Sequence, residues 1–262
     1  MSVGYIDRWL VMKKCLICDG EMSIFDEAMI LKKYKVNYWQ CRECGFIQTD
    51  NPYWLNEAYS SAIVDADIGL ASRNYVMSEL TAGILDVCLS DSKTHLDFGG
   101  GYGLFTRLMR DKGFDFQWYD KYCDNLFAKH FEKNKDYYDV VTAYEVFEHL
   151  PNPVQDVGEM LSYGDNLIFC TSIVPEDVKD ISSWWYFMPY HGQHISFYTK
   201  KSLSILAAKF GRKYVGYGDM HMFTKKKCST LKFALSCRFK KIIQRIWKRK
   251  SLLMDDYNSI IE

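Results

Sequence analysis

An apolar strand, His95-Leu96-Asp97-Phe98, runs without a break into Gly99-Gly100-Gly101-Tyr102-Gly103 and then into a helical pattern that begins Leu104-Phe105. This order constrains the chain more than any other. Glycines let the backbone turn sharply and approach a ligand with no Cβ in the way, and a helix start presents unpaired N–H groups to it. The product is a cradle at a strand end, the mark of an αβ unit and of a nucleotide-cofactor enzyme. Glycine after a strand also occurs in αβ units with no ligand, so the surrounding sequence has to decide. A second short apolar run, Asp115-Phe116-Gln117-Trp118-Tyr119-Asp120, follows at the distance of the next parallel strand. Asp120 closes it where a ribose-binding acid is expected, about twenty residues on. Leu104 stands where the dinucleotide fingerprint needs glycine or alanine, so a pyrophosphate is not required.

Formal net charge is zero, which argues against nucleic acid as the main partner. No apolar run approaches a membrane span, and Asp7 and Arg8 interrupt the stretch where a signal peptide needs an apolar core. A cytoplasmic protein is expected. Nine cysteines, an odd number, fit reduced thiols plus a metal site better than a disulfide framework. Four of them, Cys15, Cys18, Cys41 and Cys44, form paired Cys-x-x-Cys turns around a 22-residue spacer rich in strand formers. Each turn points two sulfurs at one centre, and four thiolates close a tetrahedral structural zinc shell. Four buried cysteines without metal are the alternative.

Three segments carry a family resemblance. Leu96-Asp97-Phe98-Gly99-Gly100-Gly101-Tyr102-Gly103 resembles motif I of the class I S-adenosylmethionine-dependent methyltransferases. Asp139-Val140-Val141-Thr142-Ala143-Tyr144-Glu145-Val146-Phe147-Glu148-His149-Leu150-Pro151 looks like the fourth strand and loop of its small-molecule members, and Asn166 to Ser172 like the fifth strand. The resemblance covers roughly Tyr59 to Phe223. It implies an α/β fold, a Rossmann-like doubly wound, mostly parallel seven-stranded sheet, here with a small N-terminal zinc ribbon. It also implies S-adenosylmethionine held by Asp97, Gly99, Gly100, Gly101, Tyr102, Gly103, Phe105, Asp120, Tyr144 and Glu145. Between Asp120 and Asp139 there is too little chain for the usual helix, strand and helix, so that edge should be pared down. Lys121 and Tyr122 are the nearest adenine-side candidates and read equally well as ordinary loop residues.

The organisation expected is a zinc head over 1–52, a cofactor-binding domain over 53–224 with a helical lid over 57–90, and a basic helical tail over 225–262. In the lid, Tyr59, Arg73 and Asn74 could face the cofactor's amino-acid end or simply start a helix. The cysteine head before such a domain resembles deoxysugar C-methyltransferases, and the stretch from Cys44 to Tyr59 looks like methyltransferases found with surface-polysaccharide genes. This implies a small sugar or nucleotide-sugar substrate, with O-methylation first. Sugar C-methylation and a non-catalytic protein docking a glycosyltransferase stand as alternatives.

The aromatic segment 182–198 follows the fifth strand, at the end of the sheet where ligands bind. Trp184, Trp185, Tyr186, Tyr190 and Tyr198 are the expected substrate wall, with a satellite aromatic core as the competing reading. His194, then His191, then His149 are the expected proton acceptors. From Lys225 to Lys250 the tail has eleven basic residues and no acidic one. It reads as an amphipathic helix packed on the domain, a peripheral contact with anionic membrane, or a diphosphate clamp.

Overall fold

The computed structural model describes residues 13–59 and 68–262. Two sheets organise them. The larger contains β5 (His95–Phe98), β6 (Phe116–Tyr119), β7 (Tyr138–Ala143), β8 (Gly164–Cys170), β10 (Lys213–Tyr217) and β11 (Met220–Thr224) in the order β10-β11-β8-β7-β5-β6. The β6, β5, β7 and β8 strands are mutually parallel, and β11 runs antiparallel to both β8 and β10. The apolar runs of β5 and β7 are almost wholly buried, as a sheet covered on both faces requires.

Six strands, not the expected seven, are present among the described residues. The seventh position is reduced to one parallel bridge between Glu132 and Trp118. Trp118 N–H donates to Phe131 O at 2.7 Å and Lys133 N–H to Trp118 O at 2.8 Å. Chain length is the cause: the short run from Lys121 to Tyr137 is spent on turns and leaves nothing for a full strand.

Helices cover both faces. On one, α2 (Leu70–Cys88) packs against α3 (Leu104–Asp111), α6 (Thr230–Arg238) and α7 (Lys240–Ile246). On the other lie α4 (Pro153–Ser162) and α5 (Lys200–Lys209). Pro153 opens α4 and Asn152 caps it through Gln155 N–H, as the Asn-Pro order favours. Of the expected lid over 57–90, residues 60–67 lie outside the described residues; the described part consists of α1 (Leu55–Ala58) and α2, whose stretch from Ser78 to Cys88 is mostly buried.

The cysteine region is not a separate head. Its strands β1 (Lys13–Lys14), β2 (Glu21–Ile30), β3 (Tyr34–Cys41) and β4 (Ile47–Thr49) are completed by β9 (Ser196–Phe197), which arrives from beyond β8 and pairs with β4. Cys15, Ile17, Cys41, Cys44 and Phe46 belong to the same core cluster as Phe147, Phe169 and Tyr198. The tail is docked as well. Phe233 and Cys237 of α6 are buried, and α8 (Leu253–Ile261) supplies Asp256 to the guanidinium of Arg110.

Candidate active site

The glycine loop turns at three left-handed positions, Gly99, Gly101 and Gly103, with φ of 70°, 53° and 86°. Only glycine takes these without strain. Asp97 lies beneath the loop, where its carboxylate accepts from Thr106 Oγ1 at 2.9 Å and Thr142 Oγ1 at 3.0 Å. Burial raises it to about 7 against those two hydrogen bonds. Asp97 is thus a brace tying β5 to α3 and β7. Phe105 is also beneath the loop, buried against Tyr144 and Phe116.

Asp120 closes the other side. Its Oδ2 accepts from Gly101 N–H at 2.9 Å, and its Oδ1 from Tyr122 and Cys123 N–H at 2.7 and 2.9 Å. A carboxylate has about four acceptor sites, so a ribose hydroxyl still finds one. The Trp118 indole fixes the loop further by donating to Gly101 O at 2.8 Å. A Cβ built on Gly100 would stand 2.7 Å from Trp118 and 2.8 Å from Asp97, whereas one on Gly101 meets no atom within 4 Å. The loop is packed from below and open above, which fits a cofactor cradle. Of the other expected contacts, Lys121 pairs with Glu159 and Tyr122 is 92% exposed. Tyr102 holds the 126–127 turn through its carbonyl.

The end of β7 bears the second half of the site. Tyr144 bonds Thr81 Oγ1, and Glu145 turns at φ 55° to meet Arg73 at 3.5 Å and the Cys170 thiol at 3.2 Å. A short 3-10 turn, Phe147–His149, then presents Glu148 and His149. His149 Nδ1 lies 2.9 Å from Gln193 O, and His194 Nδ1 lies 2.7 Å from Tyr186 O. A carbonyl can only accept, so both Nδ1 atoms carry the hydrogen, and in the neutral rings both Nε2 atoms carry a lone pair. Burial, reinforced by His149, lowers His194 to about 3 and keeps it neutral. The two rings are 5.1 Å apart. Glu148 is fully buried, and neither carboxylate oxygen has a hydrogen-bond partner.

The expected histidines divide. His149 and His194 lie with Glu148, while the His191 ring lies against Tyr190, centroids 4.3 Å apart and planes tilted by 45°. The aromatic segment divides too. Trp184, Tyr186 and Tyr198 are buried, Tyr198 donating to Phe147 O. Trp185 and Tyr190 are 72% and 57% exposed. With Asp26, Glu27, Ile181 and Trp184 they line a cavity of about 380 Å³. Beyond the expected site residues, the structure brings in Glu148, the acid whose place before His149 at the end of the strand is its signal in the sequence, and Trp118 and Thr142 as loop braces.

The four cysteines meet as expected. Cys15 and Cys44 Sγ are 3.7 Å apart and Cys18 and Cys41 Sγ 3.4 Å, with no disulfide among the described residues. Sulfurs about 2.3 Å from a tetrahedral zinc would be roughly 3.8 Å apart, so the donor set fits that ion. Ile17 N–H to Cys15 Sγ and Cys44 N–H to Cys41 Sγ add the hydrogen bonds usual around such ligands.

The sequence profile described as Methyltransferase domain matches residues 71–215, more than half the chain, and the chain belongs to that family. No curated protein sequence matches it significantly. Among solved structures it is similar to CalO1, a methyltransferase in calicheamicin biosynthesis, at 16% identity and a TM-score of 0.40, covering 56% of this chain and 55% of that one. It is also similar to an O-methyltransferase family protein from Burkholderia thailandensis, at 16% and 0.43, covering 66% and 67%. The plantazolicin methyltransferase BpumL matches at 13% and 0.45, covering 74% and 90%. The chain thus spans about half the length of CalO1.

Proposed function

We propose that this enzyme methylates a hydroxyl of a sugar or nucleotide-sugar in surface-glycan assembly. The carrying observation is the pairing of His149 and His194, rings 5.1 Å apart beyond the end of β7, the strand next to the one that leads into the glycine loop, with each Nδ1 committed to a carbonyl and each Nε2 left with its lone pair. S-adenosylmethionine supplies an electrophilic methyl group on a good leaving group, so the protein's main task is alignment. Gly99 to Gly103 and Asp120 hold the cofactor in this reading, with Tyr144 and Glu145 at its amino-acid end. The imidazole pair accepts the hydrogen bond of the acceptor hydroxyl and orients its oxygen. Trp185 and Tyr190 offer flat faces to the C–H face of a pyranose, and Asp26 and Glu27 in the same cavity suit its hydroxyls. The cysteine cluster holds structural zinc. C-methylation needs an acidic C–H in the substrate and is the second reading, favoured by that cluster. Mass spectrometry of candidate nucleotide-sugars incubated with enzyme and cofactor tests the proposal. A gain of one methylene, localised by fragmentation to an oxygen, is expected. Localisation to carbon would favour the second reading, and no gain on any sugar would sink both.

Gly101 gives an independent test of the cradle. Gly101→Ala adds a methyl that meets no protein atom, so its stability cost is only the left-handed strain of about 1–2 kcal/mol. Calorimetry should nevertheless show a large loss of cofactor affinity, because the methyl enters the ligand's space. Gly103→Ala should do the reverse. Its Cβ would be 2.6 Å from Asn125 Oδ1, itself locked by Ala128 and Glu132, so stability falls more. Equal cofactor affinity in wild type and Gly101→Ala would remove the ligand from this loop.

Peripheral contact with anionic membrane through 225–250 is supported by the outward Ile242, Ile246 and Trp247 among lysines and arginines. Sedimentation with anionic but not neutral vesicles at low salt is the expected result. No helix among the described residues is long and apolar enough to cross a membrane.

A further inference from the structure

We propose that Glu148, His149 and His194 form a second metal site, a two-histidine, one-carboxylate set for a divalent first-row transition ion, separate from the cysteine cluster. One ligand atom from each lies within 4.8 Å of the others. All three are acceptors. The Nδ1 atoms are committed as donors to Gln193 O and Tyr186 O, which leaves Nε2 of each ring free to bind. Imidazoles that ligate metals are held by this same hydrogen bond, which fixes tautomer and ring orientation.

Glu148 supplies the independent observation. It is wholly buried, both carboxylate oxygens lack a hydrogen-bond partner, and its own backbone is pinned by Ile195 N–H to its carbonyl at 2.8 Å. A buried carboxylate without a donor is costly unless a cation or proton sits on it. Three acceptors around one point, with the Tyr186 phenol the one side-chain donor beside the carboxylate, favour a cation. The Tyr186 phenol stands near the carboxylate and bonds Thr171 Oγ1 at 3.4 Å, in position to support a ligating oxygen from outside. Two imidazoles and one carboxylate suit zinc, manganese, iron(II) or cobalt rather than calcium or magnesium, which prefer all-oxygen shells. Bonds of about 2.0–2.2 Å put donors roughly 3.4 Å apart around a tetrahedral ion, so side chains within 4.8 Å of one another close in by up to about 1.4 Å on binding. Three protein ligands also leave coordination positions open. The methyl-acceptor hydroxyl would bind at one of these in place of its direct hydrogen bond to the imidazoles, and this role alone rests on the function proposed above.

Manganese(II) separates this site from the cysteines, because it prefers nitrogen and oxygen donors to thiolates. The full chain, with zinc in its cysteine site, is titrated with manganese(II) and followed by electron paramagnetic resonance. Wild type should bind one equivalent, and His194→Ala and Glu148→Gln should bind at least tenfold more weakly. Thermal unfolding and cofactor affinity show whether each variant is folded, and His194→Ala, at a partly exposed position, serves if Glu148→Gln fails to fold. No saturable binding by wild type, or the same binding in folded variants, would overturn the site. The titration contains no sugar, so a failure of the proposed acceptor leaves its result unaffected.

Discussion

Asp256→Ala is expected to cost about 3 kcal/mol of folding stability, the lower end of what breaking a buried ion pair costs. Arg110 is only 6% exposed, and its guanidinium is held by Asp256 on one edge, at 2.9 and 2.6 Å, and by Asp115 and Phe116 O on the other. Arg107 reaches the same carboxylate at 2.8 Å. Phe131 covers the Arg110 guanidinium at 3.7 Å, so water cannot replace a lost partner. The retained Asp115 bond keeps the loss from the top of the range. Burial opposes ionisation of Asp256, but the hydrogen bonds from Arg110 and Arg107 prevail and hold its carboxyl below the ordinary carboxylate value. The stabilisation is therefore complete above the unfolded value of about 4 and fades as pH falls through the lower folded value. Urea unfolding should show the full gap between wild type and variant at neutral pH and a shrinking gap in strong acid. A gap that widened in acid would mean the clamp is not ionic.

That clamp was not legible in the sequence. The tail reads as basic from Lys225 to Lys250, yet its anchor is an acid six residues further on, and no local pattern joins Asp256 to Arg110. Local physics was legible where it acts within a few residues. The glycine string, Asp120 at a strand end, Asn152-Pro153 at a helix start and the Cys-x-x-Cys turns each state their own geometry. What depended on long-range packing was not. Trp184 and Tyr198 resemble a substrate wall in the sequence, and only the arrival of β9 against β4 shows that they are core. Asp97 has the same origin: its strand position suggests a ligand contact, but only the fold shows it buried and bonded to Thr106 of the following helix and Thr142 of the neighbouring strand. The missing seventh strand follows from length, which the sequence does state, since the chain between Asp120 and Asp139 is too short to build it.

The union of the cysteine sheet with the acceptor end carries the second large effect. In the Cys41→Ser, Cys44→Ser double variant, turnover should fall at least about a hundredfold, the scale of a displacement near 1 Å at reacting groups, while cofactor affinity changes only a few-fold. Metal-free thiolate sites lose much of the free energy that orders them, and here that order reaches the histidines. Cys44 O receives Thr199 Oγ1, β4 pairs with β9, and Thr49 N–H donates to Ile195 O, beside His194. Gln48, buried between the two parts, donates its amide to Pro151 O at 2.9 Å, just beyond His149. The glycine loop is braced instead by Asp97, Trp118 and Asp120, and none of those hydrogen bonds reaches the cysteine sheet. Steady-state turnover and calorimetry with S-adenosylmethionine, on the same preparation, separate the two ends. If both fell together, the whole domain would depend on the cluster; if neither moved, the cluster would have no part in placing His149 and His194.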